Sequence, residues 1–268
     1  MQSPPVTIFE HSTLQPEKSP QNPWGPQVPI HSHNRIQMRI RQILILIAAI
    51  QLTACGALHN ARPLEQGEHR AGVTMGGAVL TQMGAPIPLP NMVLEGQSGV
   101  KALRNHATDV NYGMNLTALA FGVVGIHAGT SHLLFAQKGA RPSLSATERI
   151  HFYNNWLDTT KDSSVRTSYL LNQVDLTAAW NINRHLGYVG ISDYIDIPDP
   201  ELNVAPFVGF VFQGKKKCFS QVEARYLAAN RQPDIVDVSF MSFGEKGALS
   251  TTLSFGWNFG GASTGGLE

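Results

Sequence analysis

The sequence predicts an all-β protein, an antiparallel meander closing into a β-barrel of about 8–10 strands, with one short helix near 146–158. Three observations predict it. Beyond residue 70, apolar side chains recur at every second position, the period of a half-buried strand. Gly, Asn, Asp and Pro interrupt that pattern at short intervals. The chain has 25 glycines and only 15% charged residues, which suits tight turns and close-packed strands better than solvated helices.

Residues 1–37 are rich in Pro, Gln, Ser, Asn and His and have almost no apolar periodicity, so burial cannot offset ordering entropy there. They read as a disordered or mis-assigned extension. From Met38 the character changes. "MRIRQILILIAAIQLTAC" sets Arg39 and Arg41 before an apolar run, Ile43 to Ile50, and then small residues before Cys55. This is the layout of a secretory signal over 38–54, too short to span a bilayer as a permanent helix. Because a signal sits at a true N-terminus, translation is expected to begin at Met38.

Leu52-Thr53-Ala54-Cys55 resembles the lipobox of bacterial lipoproteins at each of its four positions. The resemblance implies signal cleavage between Ala54 and Cys55, a diacylglyceryl thioether on the Cys55 sulfur, and acylation of the new amino terminus. Several acyl chains anchor stably where one holds only marginally. Gly56, where lipoproteins kept in the inner membrane commonly carry Asp, resembles those sent to the outer membrane of Gram-negative bacteria. With Cys55 lipidated, Cys218 has no intramolecular partner, so no disulfide is expected. Cys218 reads as a small apolar residue at the start of a strand.

The mature chain is left with 16 Lys plus Arg against 17 Asp plus Glu, which offers no basic footprint for nucleic acid. Residues 55–70 are polar and turn-rich and read as a tether; 71–260 form the barrel domain, and 261–268 a flexible tail. The plainest strand is "SYLLNQVDLTAAWNI", with Leu170, Val174, Leu176, Ala178, Trp180 and Ile182 on one face and Gln173, Asp175, Thr177 and Asn181 on the other. The last strand sets Leu249, Leu253, Phe255, Trp257 and Phe259 opposite Ser250, Thr252, Ser254, Gly256 and Asn258. Further strands are expected at about 71–81, 91–100, 110–120, 124–136, 187–196, 203–213, 218–228 and 235–243. In "SLSATERIHFYNNWLDTT", Ser145 and Glu148 have capping-box spacing, and Ile150, Tyr153, Trp156 and Leu157 share a helical face. These place the helix.

"VLEGQSGVKALRNHATDVNYGMNLTALA" resembles hairpins of outer-membrane barrels, and Trp180, Tyr188, Tyr194, Tyr226, Trp257 and Phe259 are candidates for interface girdles. Alternation alone fits a soluble barrel equally well. Connection lengths point the other way. Counted back from the C-terminus, tight turns near 244–247, 214–217, 183–186 and 121–123 fall opposite the termini, and the long 137–167 segment falls on the terminal side. Spanning barrels have the reverse arrangement.

Few residues suggest chemistry. In "GIHAGTSH", His127 and Ser131 share a strand face, and lipid A deacylases, which they resemble, are small barrels using a His and a Ser on one strand. Polar residues on the non-greasy face of a strand explain the pair as well. Asp193, Asp196, Asp199 and Glu201 form an acidic turn without the spacing of a calcium loop, and Lys215 to Lys217 form a basic tip. His106, His151 and His185 lack partners at metal-ligand spacing, and no cofactor motif or metal site is found. The sequence thus predicts a lipid-anchored outer-membrane barrel with a non-enzymatic envelope-structural, pore or binding role. The alternatives are a lipid-modifying barrel enzyme and a lipid-tethered periplasmic carrier. The partners expected are membrane lipid through Cys55 and a lipid or small-molecule ligand.

Overall fold

The computed structural model describes residues 61–81, 85–103, 106–156, 168–197, 200–214, 217–231 and 239–260. The extension, the signal with Ala54 and Cys55, and the tail lie outside them. Ten long strands form the wall: β1 (Glu68–Leu80), β3 (Asn91–Leu103), β4 (His106–Asn115), β5 (Val123–Phe135), β6 (Ser143–Asn155), β7 (Ser168–Ile182), β8 (His185–Asp196), β9 (Leu202–Gln213), β10 (Cys218–Leu227) and β11 (Ala248–Gly260). A two-residue β2 (Ile87–Pro88) pairs only with the end of β1. Each long strand pairs antiparallel with its sequence neighbour, and β11 pairs back onto β1 from Glu68↔Gly260 to Ala78↔Ser250. The result is a closed ten-stranded antiparallel barrel with no free edge, as the alternation predicts.

The expected helix at 146–158 is not there: Ser143–Asn155 is the strand β6, paired with β5 and β7 along its length. Ser145, Thr147, Arg149, His151 and Tyr153 turn inward, while Glu148, Ile150 and Phe152 turn outward. This is a period of two, and the capping-box spacing of Ser145 and Glu148 is a coincidence of composition. The short helix is instead α1 (Leu116–Ala120), at the end of the expected 110–120 strand. Asn115 caps it, its side-chain oxygen accepting from the Ala118 N–H at 2.8 Å.

The expected strand at 235–243 is also corrected. Among its described residues only Phe240 makes a bridge, to Leu80. Losing that strand moves the 183–184 and 214–217 turns to the terminal side, and gaining β6 divides the long 137–167 segment between the two ends, while the turns near 121–123 and 244–247 stay opposite the termini. Antiparallel pairing of β1 with β11 puts Glu68 and Gly260 at one end of the barrel, here the terminal end. The connections there are 104–105, 136–142, Asn183–Arg184 and 214–217. Asn183 and Lys217 take left-handed backbone angles, φ 56° and 59°, that tighten two of these turns. The opposite end carries 81–90, 116–122, 156–167, 197–201 and 228–247. Short turns lie on the terminal side and longer connections opposite.

The seam between β9 and β10 is, with that between β4 and β5, the shortest, and it ends at Arg225↔Phe207. The next outward residue on β9 is Pro206, which has no N–H to donate. Beyond it the Asn230 side chain accepts from the Val204 N–H at 3.0 Å, and the Ala229 N–H donates to the Val204 carbonyl at 2.8 Å.

Candidate functional site: a polar lumen with a strap across one mouth

Alternation gives the barrel an apolar outside and a polar inside. On β11, Leu253, Phe255, Trp257 and Phe259 face outward, Trp257 at 56% exposure, while Ser250 and Ser254 face the lumen and are buried. On β7, Val174 and Leu176 are outside, and Gln173, Asp175 and Thr177 are inside. Leu94, Val110, Tyr112, Ile126, Ile150, Val189, Ile191, Val208 and Val222 extend the outer apolar surface around the wall. The predicted faces of β7 and β11 are the observed ones. Among the girdle candidates, Trp257 and Phe259 are exposed on the outer face, and Trp180 is half-buried there with its indole N–H donating to the Ala140 carbonyl at 3.2 Å. Tyr188 and Tyr194 are corrections. Both lie inside, because the β8 register that puts Val189 and Ile191 outward turns the tyrosines inward.

The lumen is crossed by a continuous set of polar contacts, its hydrogen bonds joined by a His127–His151 ring contact and an Arg149–Asp175 ion pair at 3.9 Å. Ser254 and Thr74 share a hydroxyl contact of 2.9 Å, and Thr74 donates to Glu95 Oε2 at 3.1 Å. Glu95 Oε1 lies 3.3 Å from His127 Nε2, and the His127 ring centroid is 5.2 Å from that of His151. His151 Nε2 is 2.8 Å from Gln173 Oε1, and the Gln173 amide donates to both Asp175 oxygens at 2.8 and 2.9 Å. Ser192 donates to Asp175 at 2.5 Å and accepts from Arg225 Nη1 at 3.0 Å. Arg225 donates through Nε to Glu223 Oε1 at 3.0 Å, and its guanidinium carbon sits 4.7 Å from the centre of the Phe207 ring. Tyr188 donates to Glu223 Oε2 at 2.9 Å and accepts from Gln221 at 2.7 Å. A side limb runs from Arg149 Nε to Asn111 at 3.0 Å, and both Asn111 and Thr147 donate to Ser131, at 3.2 and 3.0 Å.

These side chains are sealed from solvent. Asp175, Ser131 and Ser192 are 0% exposed and Arg149 is 1%. Burying polar groups at such depth is costly unless they are bonded, and the hydrogen bonds with the Arg225–Glu223 and Arg149–Asp175 ion pairs offset much of that cost. The large ones are seated on bare backbone. A Cβ on Gly209 would fall 2.2 Å from the Tyr188 hydroxyl, and one on Gly113 would fall 2.4 Å from the His127 ring. Glycine at these positions creates the space that tyrosine and histidine occupy.

At the terminal end the lumen wall divides. Ala179, Leu186, Tyr188, Phe207, Val211 and Phe219, from β7 to β10, make an apolar patch that also contains Ala61. Opposite, β3 and β4 present Gly99 and Asp109. Residues 61–67, expected as part of a tether, run between the two. Ala61, Pro63 and Leu64 are buried. The Leu64 N–H donates to Asp109 Oδ2 at 2.8 Å, and the Gly67 N–H to the Gly99 carbonyl at 3.3 Å.

The candidate pair His127 and Ser131 meets different partners. His127 and Ser131 do share the lumen face of β5, but His127 bonds Glu95 while Ser131 bonds Asn111 and Thr147. Glu95, on β3, is the carboxylate that sequence spacing around His127 could not supply. In the acidic turn, Asp193 accepts from the Asn203 N–H at 3.0 Å, and Glu201 pairs with Arg231, whose hydrogen bond holds its carboxyl below the usual glutamate range. Asp199, Lys215 and Lys216 lie outside the described residues. Cys218 is half-buried at the start of β10, next to Trp257 in register. Among the described residues no three His, Cys, Asp or Glu side chains converge to hold a metal ion.

Among solved structures, the translocator domain of the autotransporter NalP from Neisseria meningitidis is similar to this chain at 11% identity and a TM-score of 0.37, over 85% of this chain and 98% of that one. No protein-family model and no curated protein matches the sequence.

Proposed function

We propose that this chain is an outer-membrane barrel that spans the bilayer with its terminal end toward the periplasm, is lipidated at Cys55, and serves as a closed envelope-structural or binding element. The observation that carries this reading is the inside-out wall. A soluble barrel buries its apolar faces and hydrates its polar ones; here Leu253, Phe255 and Trp257 face out while Arg149, Asp175 and Glu223 face in. Hydrocarbon outside, closure without edges, and short turns on the terminal side are what a spanning barrel requires. The hydrogen-bonded lumen favours a sealed element over an open pore.

Spanning and lipidation are separable by experiment. A Cys55→Ser chain loses any lipid but keeps the wall, so it is expected to stay with outer membranes after alkaline carbonate washing and to migrate heat-modifiably on gels. Mass spectrometry of the unaltered chain is expected to find an acylated N-terminal Cys55. Complete release of Cys55→Ser by carbonate would overturn the spanning reading, and an unmodified Cys55 would overturn the lipid one.

A further inference from the structure

We infer that residues 61–67 are a displaceable strap that closes the terminal mouth of the lumen, and that the wall behind it becomes open to solutes when the strap leaves. The strap matches the two walls it joins. Ala61, 2% exposed, sits in the apolar patch with Leu186, Val211 and Phe219, while three residues on the Leu64 N–H points at the buried Asp109 carboxylate of β4, 2.8 Å away. Beside it the chain lies flat on β3. A Cβ on Gly99 would fall 1.8 Å from the Glu65 carbonyl oxygen, so only glycine lets the strap reach this depth.

The attachment differs in kind from the wall. Strands β1 and β3 to β11 are held by continuous ladders, and none of those pairs includes a residue before Glu68. The strap is held by Leu64 on Asp109, Gly67 on Gly99, the Glu65 N–H on the Glu68 carboxylate at 2.9 Å, the Glu68 N–H on the Glu65 carbonyl at 3.0 Å, and the burial of three small or apolar side chains. It can therefore detach without breaking a rung of the barrel, and local opening of such a weakly held segment costs far less than global unfolding. The inference concerns the mouth of the barrel and stands whether or not the wall spans a membrane.

The test uses the full chain with Cys55→Ser and Cys218→Ser, so that Val211→Cys is the sole thiol, placed in the patch behind Ala61. Labelling by a charged maleimide is followed in the refolded barrel. Leu64→Pro removes the N–H that Asp109 accepts and alters no strand; Gly99→Val drives a side chain into Glu65. Each is expected to speed labelling at least about tenfold, the scale of losing a hydrogen bond to a carboxylate. Heat-modifiable migration should be retained. Because Leu64→Pro lies outside the wall, it keeps the test decisive if Gly99→Val fails to fold. Labelling of folded Leu64→Pro within about twofold of the parent would overturn the strap, as would a parent thiol that already reacts as fast as a free cysteine.

Discussion

Replacing Arg225 by Met tests whether the lumen network holds the barrel together. Arg225 is 2% exposed and donates to Glu223 through Nε at 3.0 Å, with Nη2 in ion-pair contact with the same oxygen at 2.9 Å, to Ser192 at 3.0 Å, and also to the Tyr194 hydroxyl. Methionine keeps much of the aliphatic stem but removes the charged guanidinium that lies over Phe207, leaving the Glu223 carboxylate, 3% exposed, without its cationic partner. Removing one member of a buried ion pair costs about 3–5 kcal/mol, whereas replacing both members is often near neutral. The single variant should therefore lose about two to almost four decades in the folded-to-unfolded ratio, at about 1.4 kcal/mol per decade. Glu223→Gln combined with Arg225→Met should recover most of that, because Gln still accepts from Tyr188 and carries no charge, so the net loss falls to about 1–2 kcal/mol. The assay is reversible urea unfolding in phospholipid vesicles, followed by tryptophan fluorescence, with all four corners of the double-mutant cycle measured. A loss under about 1 kcal/mol for Arg225→Met, or a double variant that loses the sum of the singles, would refute the idea that buried charge balance stabilises this lumen.

Two further outcomes follow from the same interior. Gly209→Val puts methyl groups where the Tyr188 ring lies and should lower the urea midpoint by an amount equivalent to about 1–3 kcal/mol; an unchanged midpoint would mean the ring has room to move. Ser131→Ala removes the acceptor shared by Asn111 and Thr147 and should cost about 1–3 kcal/mol of stability while leaving lipid A unchanged by mass spectrometry. An altered lipid profile would restore the catalytic reading of His127 and Ser131.

Much of the wall was legible because a strand with different neighbours on its two faces writes its geometry into alternate residues. Leu170 to Ile182 and Leu249 to Phe259 do so plainly, and β8, β9 and β10 begin and end within two residues of the expected bounds. What misled was any stretch where inward positions are large. In β6, Arg149, His151 and Tyr153 occupy lumen positions, so the inner face no longer looks small and polar, and Ile150, Tyr153 and Trp156 mimic a helical stripe. In β8 the inward Tyr188 and Tyr194 read as girdle residues for the same reason. Those side chains fit only because Gly209 and similar positions on neighbouring strands are bare, and pairing between strands is invisible to a reading made along one. The contact of Glu95 with His127 was hidden likewise. The strap was missed because its polarity is genuine: Arg62, Glu65 and Gln66 face water, and only Ala61, Pro63 and Leu64 are buried.

The pairing of β1 with β11 governs how this molecule must be made. Glu68 meets Gly260, at the two extremes of the ladder, so the sheet cannot close until its last strand has been delivered. Every shorter fragment carries two open rims of unsatisfied N–H and C=O groups beside a row of bare hydrophobes, a template for aggregation. Such distant pairing is also slow to form. Closure of the wall is therefore the last step that the pairing permits, and it waits on β11.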